Sequence, residues 1–111
     1  MSLEKEVIGK ALEQDNPIFS AARDVQFNCG VISGLRIAGF DSVDAVERVV
    51  EYLRGITKNY TRDLTKSTIG NQLDVLNYGL EKRGRDLPKE TVKNYKLLKR
   101  AYQEFFRQFS Y

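Results

Sequence analysis

The chemistry open to this chain is bounded first by the side chains it lacks. There is no histidine, so the commonest general base, the commonest metal ligand and the side chain that titrates near neutral pH are all missing. The one cysteine, Cys29, cannot form an internal disulfide. It falls on an apolar stripe, where a buried, inert thiol is expected rather than a nucleophile. Carboxylates occur singly: Asp41 and Asp44 suit the start of a helix, and Glu47 and Glu51 suit a solvated face. The glycines of Gly30-x-x-x-Gly34 are not followed by the Lys-Ser/Thr pair that a phosphate-cradling loop requires. The expectation is a protein that is not an enzyme, with no catalytic residue, no cofactor, no metal and no evident small-molecule substrate.

What remains is clustered charge and clustered aromatic rings. The net charge is only +3, but residues 1–80 hold nine Lys/Arg against eleven Asp/Glu, whereas residues 81–111 hold nine against four. The basic character therefore belongs to the C-terminal quarter. Lys89, Lys93, Lys96, Lys99, Arg100 and Arg107 fall there, with Phe106 among them, and these seven are the candidate binding residues. Such a cluster suits a polyanion or an acidic protein partner, and it also suits an ordinary solvated helix face. The same stretch places five aromatic residues between Ala101 and Tyr111. Residues 105 and 106 differ by about 100° around a helix axis. One reading therefore leaves Phe106 or Tyr111 exposed as a partner or self-association surface, and the other packs the whole helix into a groove.

The elements that must position these groups read as helices. From Leu87 to Tyr111, Val92, Tyr95, Leu98, Tyr102, Phe105 and Phe109 recur at steps of three or four, the period of an amphipathic helix. Tyr95 and Tyr102 are expected inside with their hydroxyls at the rim. Earlier in the chain, Leu3, Val7, Ile8, Ala11 and Leu12 predict a helix from Leu3 to about Gln14. A second runs from Pro17 to about Ala38, with Asn16 as N-cap. It is read as continuous through Gly30 and Gly34, which share one face and would let another helix approach closely; the competing reading breaks it near Cys29. Gly39-Phe40 predicts a left-handed cap followed by an apolar residue that folds back. Asp41 or Ser42 then caps a third helix whose buried side is Val43, Val46, Val49, Val50, Leu53 and Ile56. The stretch Lys58 to Lys66 is undecided, with Tyr60 and Leu64 as its anchors. A fourth helix starts near Thr65, Ser67 or Thr68, buries Ile69, Leu73, Leu76 and Leu80, and stops at Gly84.

No strand pattern is present, so the fold class is all-α: a compact bundle of about five helices in a single domain over residues 1–111. With 41% hydrophobic and 30% charged residues, the composition is that of a globular protein rather than a disordered one. No apolar run is long enough to span a membrane. The first residues lack a signal-peptide pattern, which gives a cytoplasmic location as the expectation.

Two stretches suggest a helix-turn-helix. Leu64 to Leu73 puts polar side chains, Ser67 to Gln72, near a helix start. Leu87-Pro88-Lys89-Glu90-Thr91-Val92-Lys93-Asn94-Tyr95 resembles the recognition-helix start of LuxR-type regulators over about nine residues. That resemblance implies DNA contacts from Lys89, Thr91, Lys93, Asn94 and Lys96, although the preceding helix departs from the family's pattern. In size, helix spacing and the stretch Leu76-Asn77-Tyr78, the chain is also similar to bacteriocin immunity proteins. That similarity implies protection through binding a membrane receptor complex. The leading expectation is an interaction or regulatory protein that binds a macromolecular partner through its basic, aromatic last helix. A DNA-binding regulator and an immunity-like bundle are the alternatives.

Overall fold

The computed structural model describes residues 17–109. Among them are four helices and no strand: α1 (Pro17–Ile37), α2 (Ser42–Ile56), α3 (Arg62–Arg83) and α4 (Lys89–Gln108). The expected count of about five is thus four here; the helix expected from Leu3 to about Gln14 lies outside the described residues, as do Ser110 and Tyr111.

Local chemistry explains the breaks. α1 runs without interruption through Gly30 and Gly34. It ends where Gly39 adopts φ 98°, a conformation that costs glycine little because it has no Cβ. The Gly39 amide donates to the Arg36 carbonyl at 3.1 Å and the Phe40 amide to the Leu35 carbonyl at 3.1 Å, the paired bonds of a Schellman cap. Phe40 folds back and carries the Arg48 guanidinium 4.2 Å from its ring centroid. Asp41 caps α2, its Oδ1 accepting from the Asp44 amide at 2.9 Å. Thr61 caps α3, its Oγ1 accepting from the Leu64 amide at 3.1 Å. α3 therefore begins at Arg62, earlier than the sequence pattern placed it.

The packing order is not sequential. α1 lies mainly along α3, and α2 along α4; α1 and α4 also meet each other and the remaining helices, while α2 and α3 make no close approach. The four helices enclose one core, in which Tyr102, Phe105, Ile32, Leu53, Ile69, Leu76 and Leu98 are the largest fully buried side chains. Each such side chain contributes about 1.5–3 kcal/mol relative to exposure.

Several expectations about burial are corrected. Val43 and Ile56 are exposed, because the first and last turns of α2 extend past the layer that covers Val46, Val49 and Leu53. Tyr60 and Leu64 are exposed too; the segment after α2 is held instead by the buried Thr57, whose Oγ1 donates to the Leu53 carbonyl at 2.7 Å. Gly30 and Gly34 face solvent, and a Cβ built at either meets nothing within 4 Å. No described helix approaches there.

Tyr102 is the sharpest correction. Its hydroxyl is not at the rim but at the centre of the bundle. It donates to Gln72 Oε1 at 2.8 Å and accepts from Asn28 Nδ2 at 2.9 Å. Asn28 Nδ2 also donates to Gln72 Oε1 at 3.2 Å, and Gln72 Nε2 to Asp24 Oδ2 at 3.3 Å. Three fully buried polar side chains from α1, α3 and α4 thus satisfy one another, which offsets the cost of removing them from water.

Candidate polyanion-binding face

α4 separates its two chemistries by angle. Leu97, Leu98, Ala101, Tyr102 and Phe105 are buried. At 100° per residue, Lys89, Lys93, Lys96 and Arg100 fall within about 60° of one another and form a row about 16 Å long. All four are exposed. None of them makes an ion pair with the described residues. Lys82, Arg83 and Arg85, also exposed, lie at the same end of the bundle as Lys89, in the last turn of α3 and the connection that follows. Between Lys82 and Arg100 the chain has eight Lys/Arg and only two Asp/Glu.

One of those two acids is neutralised across the bundle. Arg36, at the end of α1, donates from Nη1 to Glu90 Oε2 at 2.9 Å and to Asn94 Oδ1 at 2.7 Å. This bridge ties the first turns of α4 to α1 and draws a negative charge away from the row. Pro88 stands at the N-cap and gives no side-chain hydrogen bond, so the positive end of the helix dipole adds to the local field.

The remaining expected site residues fall elsewhere. Lys99 is turned about 80° from the row and is half-buried. Arg107 is exposed but engaged: its Nε donates to Glu104 Oε2 at 3.0 Å, and its Nη2 bonds Glu104 Oε1. Hydrogen bonds from Arg107 and then Gln108 hold the Glu104 carboxyl below its ordinary range. Phe106 is half-buried against the core, edge-on to Phe105 at 5.9 Å, while Phe109 stacks on Phe105 at 5.4 Å. The helix therefore turns its described rings toward the core, Phe106 only in part, while Tyr111 lies outside the described residues.

Acidic groups limit the face at its far end. A groove between α2 and α4 brings Asp44, Glu47, Glu51 and Glu104 alongside Arg100. Of these, Glu51 is paired with Arg54 at 3.6 Å and Glu104 with Arg107, and Arg48 and Arg54 line the same groove. The strongly positive part of the surface thus runs from the α3–α4 connection to Lys96.

The other proposed nucleic-acid segment is not assembled as a helix start. Ser67 to Gln72 lies in the second and third turns of α3. Ile69 and Gln72 are fully buried there, Gln72 by its bonds to Asn28 and Tyr102. Of the five residues implied by the regulator resemblance, Lys89, Lys93 and Lys96 are exposed. Thr91 is half-buried, and the Asn94 carbonyl oxygen is occupied by Arg36.

Exposed rings occur elsewhere among the described residues. Phe27 and Tyr52 meet at 6.3 Å between centroids and are 60% and 37% exposed. Ile56 follows Tyr52 by one turn. The signal for such a patch was weak, since single apolar residues on a polar face are common.

For other chemistry the described residues offer little. No group of three or more His, Cys, Asp or Glu among them is placed to hold a metal ion. Cys29 is half-buried against the core, and burial pushes its thiol up to about 12, so it stays protonated and poorly nucleophilic near neutral pH. No described helix is long and apolar enough to cross a membrane. Comparison with protein-family models, with curated proteins and with solved structures gives no match to this chain.

Proposed function

We propose that this protein is a non-enzymatic interaction module that docks a macromolecule bearing clustered negative charge on the exposed face of α4. The observation that carries the reading is the division of labour on that helix. Its rings are drawn into or against the core, while Lys89, Lys93, Lys96 and Arg100 are exposed and form no ion pair with a carboxylate among the described residues. Holding like charges in one row raises the local potential, which favours and steers an anionic partner. A contact dominated by apolar anchors is less favoured here, because no large hydrophobic side chain of α4 is exposed.

The test is retention on a heparin matrix at low and raised salt, comparing the native chain with Lys93→Glu plus Lys96→Glu. Both side chains are exposed, so the variant is expected to keep the helical circular-dichroism spectrum and melting temperature of the parent. The expected result is retention at low salt that falls steeply as salt rises and is largely lost in the variant. A native chain that passes straight through at low salt removes the proposal.

A further inference from the structure

The kind of anionic partner can be narrowed by asking what the row offers besides charge; the argument rests on the docking reading above. Recognition of a protein surface draws on desolvated aromatic and arginine anchors, and lysine is depleted at such interfaces. The row on α4 is three lysines followed by an arginine, with no exposed large hydrophobic on the helix. Single-stranded nucleic acid is held by rings on which bases stack. Tyr95 and Phe106 are half-buried and packed against the core, so the α4 row itself lacks that platform; the exposed Tyr78 stands one turn before Lys82, on α3. Reading of base edges needs polar side chains free to form paired hydrogen bonds in a groove. Asn94 has its carbonyl oxygen held by Arg36 at 2.7 Å and Thr91 is half-buried; the exposed Gln103 stands past Arg100, next to Glu104 and the mixed-charge groove.

What is left is a straight line of flexible point charges. At about 3.4 Å of axis per phosphate and about 34 Å per turn, one strand winds nearly half-way round a duplex over about 16 Å. A straight row of cations about 6, 4.5 and 6 Å apart therefore meets the phosphates that border a groove where the helix crosses it, and the long lysine side chains extend that reach. Lys82, Arg83 and Arg85 continue the positive surface beyond Lys89. The groove beyond Arg100 mixes Asp44, Glu47, Glu51 and Glu104 with Arg48 and Arg54, so the uniformly positive footprint ends there.

We infer that the α4 face binds the phosphate backbone of double-stranded nucleic acid without reading its sequence. The contact is made by Lys89, Lys93 and Lys96, with Arg100 at its edge.

The experiment is fluorescence anisotropy of the full chain with a labelled DNA duplex, a second duplex of shuffled sequence, the matching single strand, and polyglutamate as a protein-like polyanion. Three to four neutralised phosphates predict a slope of log K against log salt of about −3 to −4, a loss of roughly a hundredfold between 50 and 200 mM. The two duplexes are expected to bind within a factor of about two of each other, and the single strand more weakly. Lys93→Gln plus Lys96→Gln should reduce the slope by roughly two while leaving the melting temperature in place. Binding of polyglutamate and heparin but not duplex overturns this inference and leaves the docking reading standing. Absence of binding to every polyanion overturns both. A strong preference between the two duplexes, or tighter binding of the single strand, refutes the backbone reading.

Discussion

Replacing Tyr102 by phenylalanine deletes one oxygen from the centre of the molecule and keeps the ring that fills the core. The oxygen is fully buried and makes two hydrogen bonds, donating to Gln72 Oε1 at 2.8 Å and accepting from Asn28 Nδ2 at 2.9 Å. Without it, one Asn28 amide hydrogen has no acceptor, and Gln72 Oε1 keeps only the longer bond from Asn28 at 3.2 Å. Leaving a buried donor unsatisfied costs about 1–3 kcal/mol, more than the loss of a bond between exposed groups. The phenylalanine itself adds no strain and opens no cavity larger than the missing atom. A urea titration at neutral pH should therefore show the midpoint falling at unchanged slope, by about 1 M if the cost is about 2 kcal/mol. Thermal unfolding should move down by roughly 4–8 °C per kcal/mol. Pairing Tyr102→Phe with Gln72→Leu in a double-mutant cycle isolates the shared contact, and the two losses are expected to fall short of additivity by about 0.5–3 kcal/mol. If Tyr102→Phe is neutral within the error of the titration, or the two substitutions simply add, the three side chains are not acting as one network.

Two further consequences concern the backbone and alkaline pH. Gly30→Ala and Gly34→Ala place a methyl group where a built Cβ meets nothing within 4 Å, so each should stabilise by about 1 kcal/mol in urea titrations. Gly39→Ala instead forces a side chain into φ 98° and should destabilise by about 1–2 kcal/mol; a stabilising result there would contradict the cap assignment. Burial raises the Cys29 thiol from 9.0 to about 12 and raises the Tyr102 hydroxyl above 10.0. The unfolded chain then releases these protons at lower pH than the folded one. Stability is complete below about pH 9 and declines as pH rises toward the folded values. Melting curves between pH 8 and 11 should show this decline, with a smaller slope in Cys29→Ala.

Much of the fold could be read before any coordinates, where local chemistry decides. Gly39 followed by Phe40 and Asp41 marked the α1–α2 junction because a positive φ, a fold-back residue and a cap oxygen leave few alternatives. The stripe on α4 identified Leu98, Tyr102 and Phe105 because an amphipathic helix has one face to bury. Periodicity could not say which polar residues belong inside. Asn28 sits between Val25 and Ile32, and Gln72 between Ile69 and Leu76, at steps of three and four. Each therefore occupies a core position, but only the folded chain shows that they meet. Nor could it show that Val43 and Ile56 stay in water, or that no described helix crosses at Gly30 and Gly34. These are facts of tertiary packing. The candidate face was legible as a row of cations. The offset of Lys99 follows from the same 100° spacing, whereas the engagement of Arg107 by Glu104 and the half-burial of Phe106 appear only in the folded chain.

The diagonal placement of α2 and α3 governs the order in which this chain can assemble during synthesis. With only the residues through Arg83 made, α1 can settle on α3, but α2 has only its smaller contact with α1 and lacks α4, its main neighbour. The polar knot is equally unfinished, since Asn28 and Gln72 await a hydroxyl supplied from α4. A nascent chain stalled there should attract chaperones and proteases. Its ordered state arrives when the last helix docks and closes both halves in a single step.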